Sequence, residues 1–220
     1  MSFLIAILNW PLSFFASVLR LGAGAAGEPV DVAQPVVLYE FEGCPFCRIA
    51  REAVSESGVT VEVRPCPKGG ERFRPDVERL GGKAQFPYMI DPNTDVTLYE
   101  SADIARYFRK TYGPRRRPPV HWLGPFNLML SQFAVLARFM SGTFSRRASA
   151  PSRPLRFYGA ERSPGARLVK ERLCAMQLTY IWRSRAPEGG GAPRLIDKNT
   201  GDDLLGAAAI LSHLAKEYKP

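Results

Sequence analysis

Two cysteines separated by two residues, Cys44-Pro45-Phe46-Cys47, are the part of this chain best equipped for chemistry. The apolar run 36–41 before them reads as a strand, and 47–57 after them reads as a helix that ends near Gly58. Cys44 therefore belongs where a strand gives way to a helix N-terminus. Unpaired N–H groups and the positive end of the helix dipole gather there and favour a thiolate, so Cys44 is a nucleophile near neutral pH. Arg48 and Arg51 add positive charge nearby. Cys47, one turn further on, can resolve a mixed disulfide by attacking Cys44. Pro45 suits a first helical turn, where no N–H is needed. The bland alternative is a pair of buried, incidental cysteines.

Two further signals stand downstream. Phe86-Pro87 puts a proline at the start of a strand, a position that excludes a central ladder and invites a cis bond. In this arrangement the proline faces the cysteines, and the backbone before it binds the peptide part of a thiol substrate; an ordinary edge-strand proline is the alternative. Glu100-Ser101 opens the last helix of this region, with Asp103 close behind. Ser101 and the helix N-terminal N–H groups form an anion pocket for an α-carboxylate, while Glu100 can take an ammonium. Together they match the γ-glutamyl end of glutathione. Alone, such a pair is commonly just a helix cap. Cys66, between two prolines after the second strand, reads as a fixed and inert thiol, with a third redox thiol as the alternative.

The elements that must position these residues repeat along the chain. Leu38-Tyr39, Glu42, Pro45 and Arg48 recur as Phe157-Tyr158, Glu161, Pro164 and Arg167 at an offset of 119. Pro87 with Ile90-Asp91, and Asn93-Thr94, recur as Pro193 with Ile196-Asp197, and Asn199-Thr200, at an offset of 106. The segment 12–20 recurs as 130–138, with Arg20 matching Arg138. Each copy reads as strand, helix, strand, hairpin, helix, the βαβ-ββα order of a thioredoxin-like fold. The chain is expected to be α/β: two tandem thioredoxin-like, glutaredoxin-like modules, each preceded by an amphipathic helix. The boundaries are 1–34 for an apolar helix and linker, 35–113 for the redox-competent module, 114–153 for a basic linker with an amphipathic helix, and 154–220 for a degenerate module. The apolar stretch 3–21 resembles a signal-peptide core, but it lacks a basic start, and its relative at 126–140 lies in mid-chain. It reads as a helix, with a cleaved or anchoring N-terminus as the alternative.

In the second copy Ser163 and Ala166 replace the cysteines and Gly206-Ala207 replace Glu100-Ser101. The scaffold repeats while the chemistry does not, and Cys174 reads as a core or helix-face residue.

The chain has 220 residues and a net charge of +9. Seven arginines between 114 and 153, with no Asp, Glu or Lys among them, hold most of that charge: Arg115, Arg116, Arg117, Arg138, Arg146, Arg147 and Arg153. No nucleic-acid motif accompanies them, and a basic connector of this kind suits an anionic membrane surface or a large protein complex better. Four cysteines are too few for a disulfide-stapled secreted fold. A zinc site would need a second ligand pair, which His121 and His213 do not supply.

The runs Arg64-Pro65-Cys66-Pro67-Lys68-Gly69-Gly70, Leu80-Gly81-Gly82-Lys83 and Asp91-Pro92-Asn93-Thr94, with Gln85-Phe86-Pro87-Tyr88 and Glu100-Ser101, resemble the tandem glutathione-transferase-N-domain proteins of plant and algal plastids and cyanobacteria. The resemblance spans about 10–219 and is specific in the first copy only. It implies Cys44 as nucleophile, Cys47 as resolving thiol, and Gln85, Phe86, Pro87, Glu100 and Ser101 as contacts to glutathione, the co-substrate. It also implies a plastid location, the alternative being cytoplasmic. The expected function is a glutathione-linked thiol–disulfide oxidoreductase. The alternative is a non-enzymatic binding or assembly module at a membrane or large complex. A glutathione transferase carries an all-helical domain after its first module; here the repeat stands in that place, against ordinary conjugating activity.

Overall fold

The computed structural model describes residues 2–113 and 119–219. Arg115, Arg116 and Arg117 lie outside them. The elements run α1 (Ser2–Val18), β1 (Val36–Glu40), α2 (Pro45–Ser57), β2 (Val61–Pro65), α3 (Arg74–Gly81), β3 (Tyr88–Asp91), β4 (Val96–Tyr99) and α4 (Ser101–Thr111). They continue with α5 (Pro125–Leu136), β5 (Leu155–Tyr158), α6 (Pro164–Ala175), β6 (Tyr180–Arg183), β7 (Arg194–Asp197), β8 (Asp202–Leu205) and α7 (Ala207–Glu217).

The eight strands among the described residues form one sheet in the order β4-β3-β1-β2-β6-β5-β7-β8. β1 pairs parallel to β2 and antiparallel to β3, and β5 pairs in the same two ways with β6 and β7. The halves meet at β2 and β6, which run antiparallel with Glu62 opposite Ile181. Pairing two β2-type edges covers strand edges that would otherwise template aggregation. The main apolar core runs through both halves, from Val36, Leu38 and Phe108 to Phe157, Trp182 and Leu214.

Each hairpin is tied to the helix after it by an aspartate. Asp91 accepts from the Asn93 backbone N–H and from the hydroxyls of Tyr107 and Tyr112. Asp197 accepts likewise from Asn199 and from Tyr218. Burial raises both carboxyls, but these donors outweigh it and hold both below the usual range. Gly58 ends α2 at φ 71°, where a β-carbon would stand 1.8 Å from the Glu28 carbonyl oxygen, so glycine is needed for both conformation and space.

The structure departs from the sequence reading or adds to it in four places. α2 begins at Pro45, two residues earlier than the pattern from 47 suggests, because the proline takes the first helical position, and α6 begins in the same way at Pro164. The segment between β2 and Pro87, read as loop, holds α3, with Pro75 in its first turn, Gly82 at its end and Val77 buried. The helices expected to precede their own copies are crossed: α1 packs on α6 and α7, whereas α5 packs on α2. Their faces are also turned. Ser13, Ala16, Ser131 and Ala134 point inward, and Trp10, Phe14, Phe15, Phe126 and Phe133 point outward. The small inner side chains allow close helix contact, with the Ser13 hydroxyl donating to the Pro164 carbonyl and the Ser131 hydroxyl to the Pro45 carbonyl.

An arginine after each of these helices fixes the crossing. Arg20 makes a two-pronged bond to Glu52 of α2 and also donates to the Asn127 carbonyl. Arg138 does the same with Glu171 of α6 and the Asn9 carbonyl. Arg138 is thus buried rather than part of a free basic surface. Arg20→Ala is expected to cost about 3–5 kcal/mol in urea unfolding, since it strands a buried carboxylate. The double change Arg20→Met, Glu52→Leu is expected to recover most of that loss.

Candidate active site

Cys44 is the cap of α2, in extended backbone with its sulfur accepting the Cys47 backbone N–H at 3.3 Å. A Cys47 thiol hydrogen bond, helped against burial by the N–H groups of Cys47 and Phe46 and by the Arg51 charge, lowers the Cys44 pKa. Cys44 is 5% exposed and Cys47 fully buried. Burial, the Cys44 sulfur and Glu40 all push the Cys47 thiol well up. The two sulfurs are free thiols with opposed tendencies, one favouring the thiolate and the other the protonated thiol.

Phe86-Pro87 is a cis peptide. Tyr88, the next residue, pairs with Tyr39 at the end of β1 from which the cysteine turn departs. The rings of Phe41 and Phe86 meet edge-on at 6.2 Å, and the Arg74 guanidinium covers Phe86. The proline and the cysteine turn therefore share one end of the sheet.

Glu100 caps α4 at φ 66°, and Ser101 is the first helical residue and buried. The Gln85 side-chain amide donates to the Glu100 carboxylate. Beside them opens a cavity of about 420 Å³, walled by Glu100, Ser101, Phe46, Arg106 and Asn127. A carboxylate at the Ser101 N–H would lie between the helix N-terminus and these walls. Gly206, the counterpart of Glu100, holds the same left-handed backbone at φ 90°. A non-glycine residue at such an angle is strained, and strain kept at a cleft points to the side chain being wanted there.

The sequence reading missed the polar floor of this site. Arg51, fully buried, bonds Glu40, Glu42 and Glu161 together, and Lys170 spans Glu42 and Glu161. Burial, only partly offset by Arg51, raises Glu40 to about 7. The Glu40 charge also acts on Cys47, Cys66 and Cys174. The one signal was a glutamate closing an otherwise apolar strand, at Glu40. Arg48, read as support for the thiolate, instead faces Arg167 and Glu161, and the charge acting on Cys44 comes from Arg51. Cys66 and Cys174 are buried and their thiols raised by burial, as inert residues should be. In the second half Ser163 caps α6 through the Ala166 N–H, an ordinary serine cap.

Residues 38–116, from β1 past the end of α4, match the family model for the glutathione S-transferase N-terminal domain. This part of the chain is similar to a thioredoxin-like domain of that kind, and it holds Cys44, Cys47, Gln85, Phe86, Pro87, Glu100 and Ser101. Comparison with curated proteins and with solved structures returned no match.

Two outcomes are expected. Alkylation should titrate on Cys44 with a midpoint below the ordinary thiol value of about 8.5, while Cys47, Cys66 and Cys174 stay unmodified until the protein unfolds. For Glu40, a folded-state pKa above the unfolded one means the folded state binds more protons between them. Stability should therefore fall as pH rises from about 4.5 to about 7, and Glu40→Gln should flatten that slope in urea unfolding.

Proposed function

We propose that this protein is a glutathione-linked thiol–disulfide oxidoreductase, built as two tandem thioredoxin-like modules of which the first is active. The observation that carries it is a thiol of lowered pKa capping α2, at the same sheet end as a cis proline and in the domain that carries the Glu100-Ser101 pocket. The family matched over 38–116 supports glutathione as the co-substrate. Gln85, Phe86 and Pro87 hold its peptide portion, Ser101 its α-carboxylate and Glu100 its ammonium.

In the reaction the Cys44 thiolate attacks the glutathione sulfur of a protein–glutathione mixed disulfide. The old S–S bond breaks, the protein thiolate leaves and takes a proton from solvent, and Cys44 is left disulfide-bonded to glutathione. A second glutathione thiolate attacks that glutathione sulfur, giving glutathione disulfide and returning the Cys44 thiolate. With an intramolecular protein disulfide, the Cys44 thiolate attacks one sulfur to form a mixed disulfide and the other sulfur leaves as a thiol; Cys47 then gives up its proton and attacks Cys44, releasing the second substrate thiol, and two glutathiones reduce the Cys44–Cys47 disulfide to give glutathione disulfide. Repetition of the same pairing pattern in the second half, with Ser163 and Gly206-Ala207 at the site positions, supports a structural role for that module. By resemblance we place the protein in the plastid.

Cys44→Ser is expected to abolish deglutathionylation, while Cys47→Ser keeps it and loses disulfide reduction. Wild-type activity in Cys44→Ser would overturn the assignment. Glu100→Gly is expected to stabilise the fold by about 1 kcal/mol through relief of its backbone angle, yet to raise the KM for glutathione about tenfold with kcat little changed.

A further inference from the structure

α1 and α5 form an outer layer of the molecule. Both pack on helices and not on strands. They lie antiparallel, because Arg138 at the end of one reaches Asn9 of the other, and Arg20 reaches Asn127. Their inner faces are small and polar. Their outer faces are the reverse: Trp10, Phe14 and Phe15 on α1, and Phe126, Phe133 and Leu136 on α5, are each about half exposed or more. Of the large apolar side chains exposed among the described residues, only Phe46, Leu80 and Leu205 lie outside these helices and the residues flanking them. A monomer in water rarely presents so concentrated a patch without a use for it.

The charge around the patch selects the occupant. Phe139 and Phe144, just beyond α5, share a hollow with Arg146 and Arg172, and the next residue, Arg147, is exposed. Of the described arginines in the segment 114–153 that contains α5, Arg146, Arg147 and Arg153 are exposed, and the segment holds no acid, on a chain of net charge +9. A second copy would bring two such basic rims together, and like charges across an interface oppose association. An apolar plate with aromatic side chains and a basic border has the chemistry of a helix pair lying in the headgroup region, its apolar side toward acyl chains and its arginines on anionic phosphates. No described helix is long and apolar enough to cross a membrane, which fits lying on a bilayer rather than spanning one.

We propose that the outer face of α1 and α5 docks on an anionic phospholipid bilayer. In flotation with vesicles of phosphatidylcholine and about one-third phosphatidylglycerol, the full chain is expected to float with the lipid, and to float far less with phosphatidylcholine alone. Phe14→Glu with Phe133→Glu changes only exposed positions and should reduce binding about tenfold or more. Arg146→Gln with Arg147→Gln should lower binding to anionic vesicles and make it less sensitive to salt. Unchanged circular dichroism and thiol reductase activity would show that these variants are folded. A brominated lipid should quench tryptophan fluorescence in the wild type and less in Trp10→Phe. Absence of flotation at low salt, or equal flotation of the Phe14→Glu, Phe133→Glu variant, would overturn the proposal. So would a wild-type dimer that the same variant dissociates, because a second copy would then own the face.

Discussion

A wholly buried guanidinium is the constraint around which this molecule is arranged. Arg51 sits on α2 one turn after Cys47, out of reach of water, and must keep its charge there. Burial alone would lower its pKa, but Glu40, Glu42 and Glu161 outweigh that and raise it well above its ordinary value. Glu40 comes from the last position of β1, Glu42 from the cysteine turn and Glu161 from the other half of the chain. Lys170, also buried and lying over the Trp182 ring, closes the arrangement. Removing one member leaves the others uncompensated in a medium of low polarity, so the turn that carries Cys44 and the join between the halves stand or fall together.

The same cluster links the scaffold to its chemistry. Arg51 favours the Cys44 thiolate, while Glu40 opposes ionisation of Cys47. A thiol that favours ionisation and one that stays protonated are thereby kept apart in protonation although they share one helical turn. The second half supplies Glu161 and Lys170 to this electrostatic floor. It thus serves the first site without keeping the cysteines or the Glu100-Ser101 pair.

The two arginines that follow α1 and α5 show how near-symmetry is used. Each pins its helix across to the α2 or α6 that the helix does not itself cover. The halves are consequently laced by crossed helices as well as by β2 and β6. Since close packing and buried polar bonds occupy the small inner faces, the large apolar side chains are left outside, where they form a plate bordered by arginines.

The local content of the structure was written in the sequence. Strand alternation, the Asn-Thr hairpins and the cysteine motif depend on neighbours along the chain, and the strand–helix–strand–hairpin–helix order read from them is, α3 apart, the order of elements in each half. What depended on distant partners was not legible. An apolar stretch such as 126–136 does not say which of its faces meets the protein, because that is settled by whether serine and alanine or phenylalanine fits against α2. Arg138 counted as surface charge until Glu171, 33 residues away, claimed it, and Arg48 was read beside Arg51 as support for Cys44 because helical position alone does not reveal which guanidinium finds a carboxylate. The sequence by itself determined the elements and the cysteine pair. Only tertiary contact decided how the halves join, which charges are buried, and which surface is left to meet something else, since each of these is a matter of desolvation, and desolvation exists only once the chain has folded.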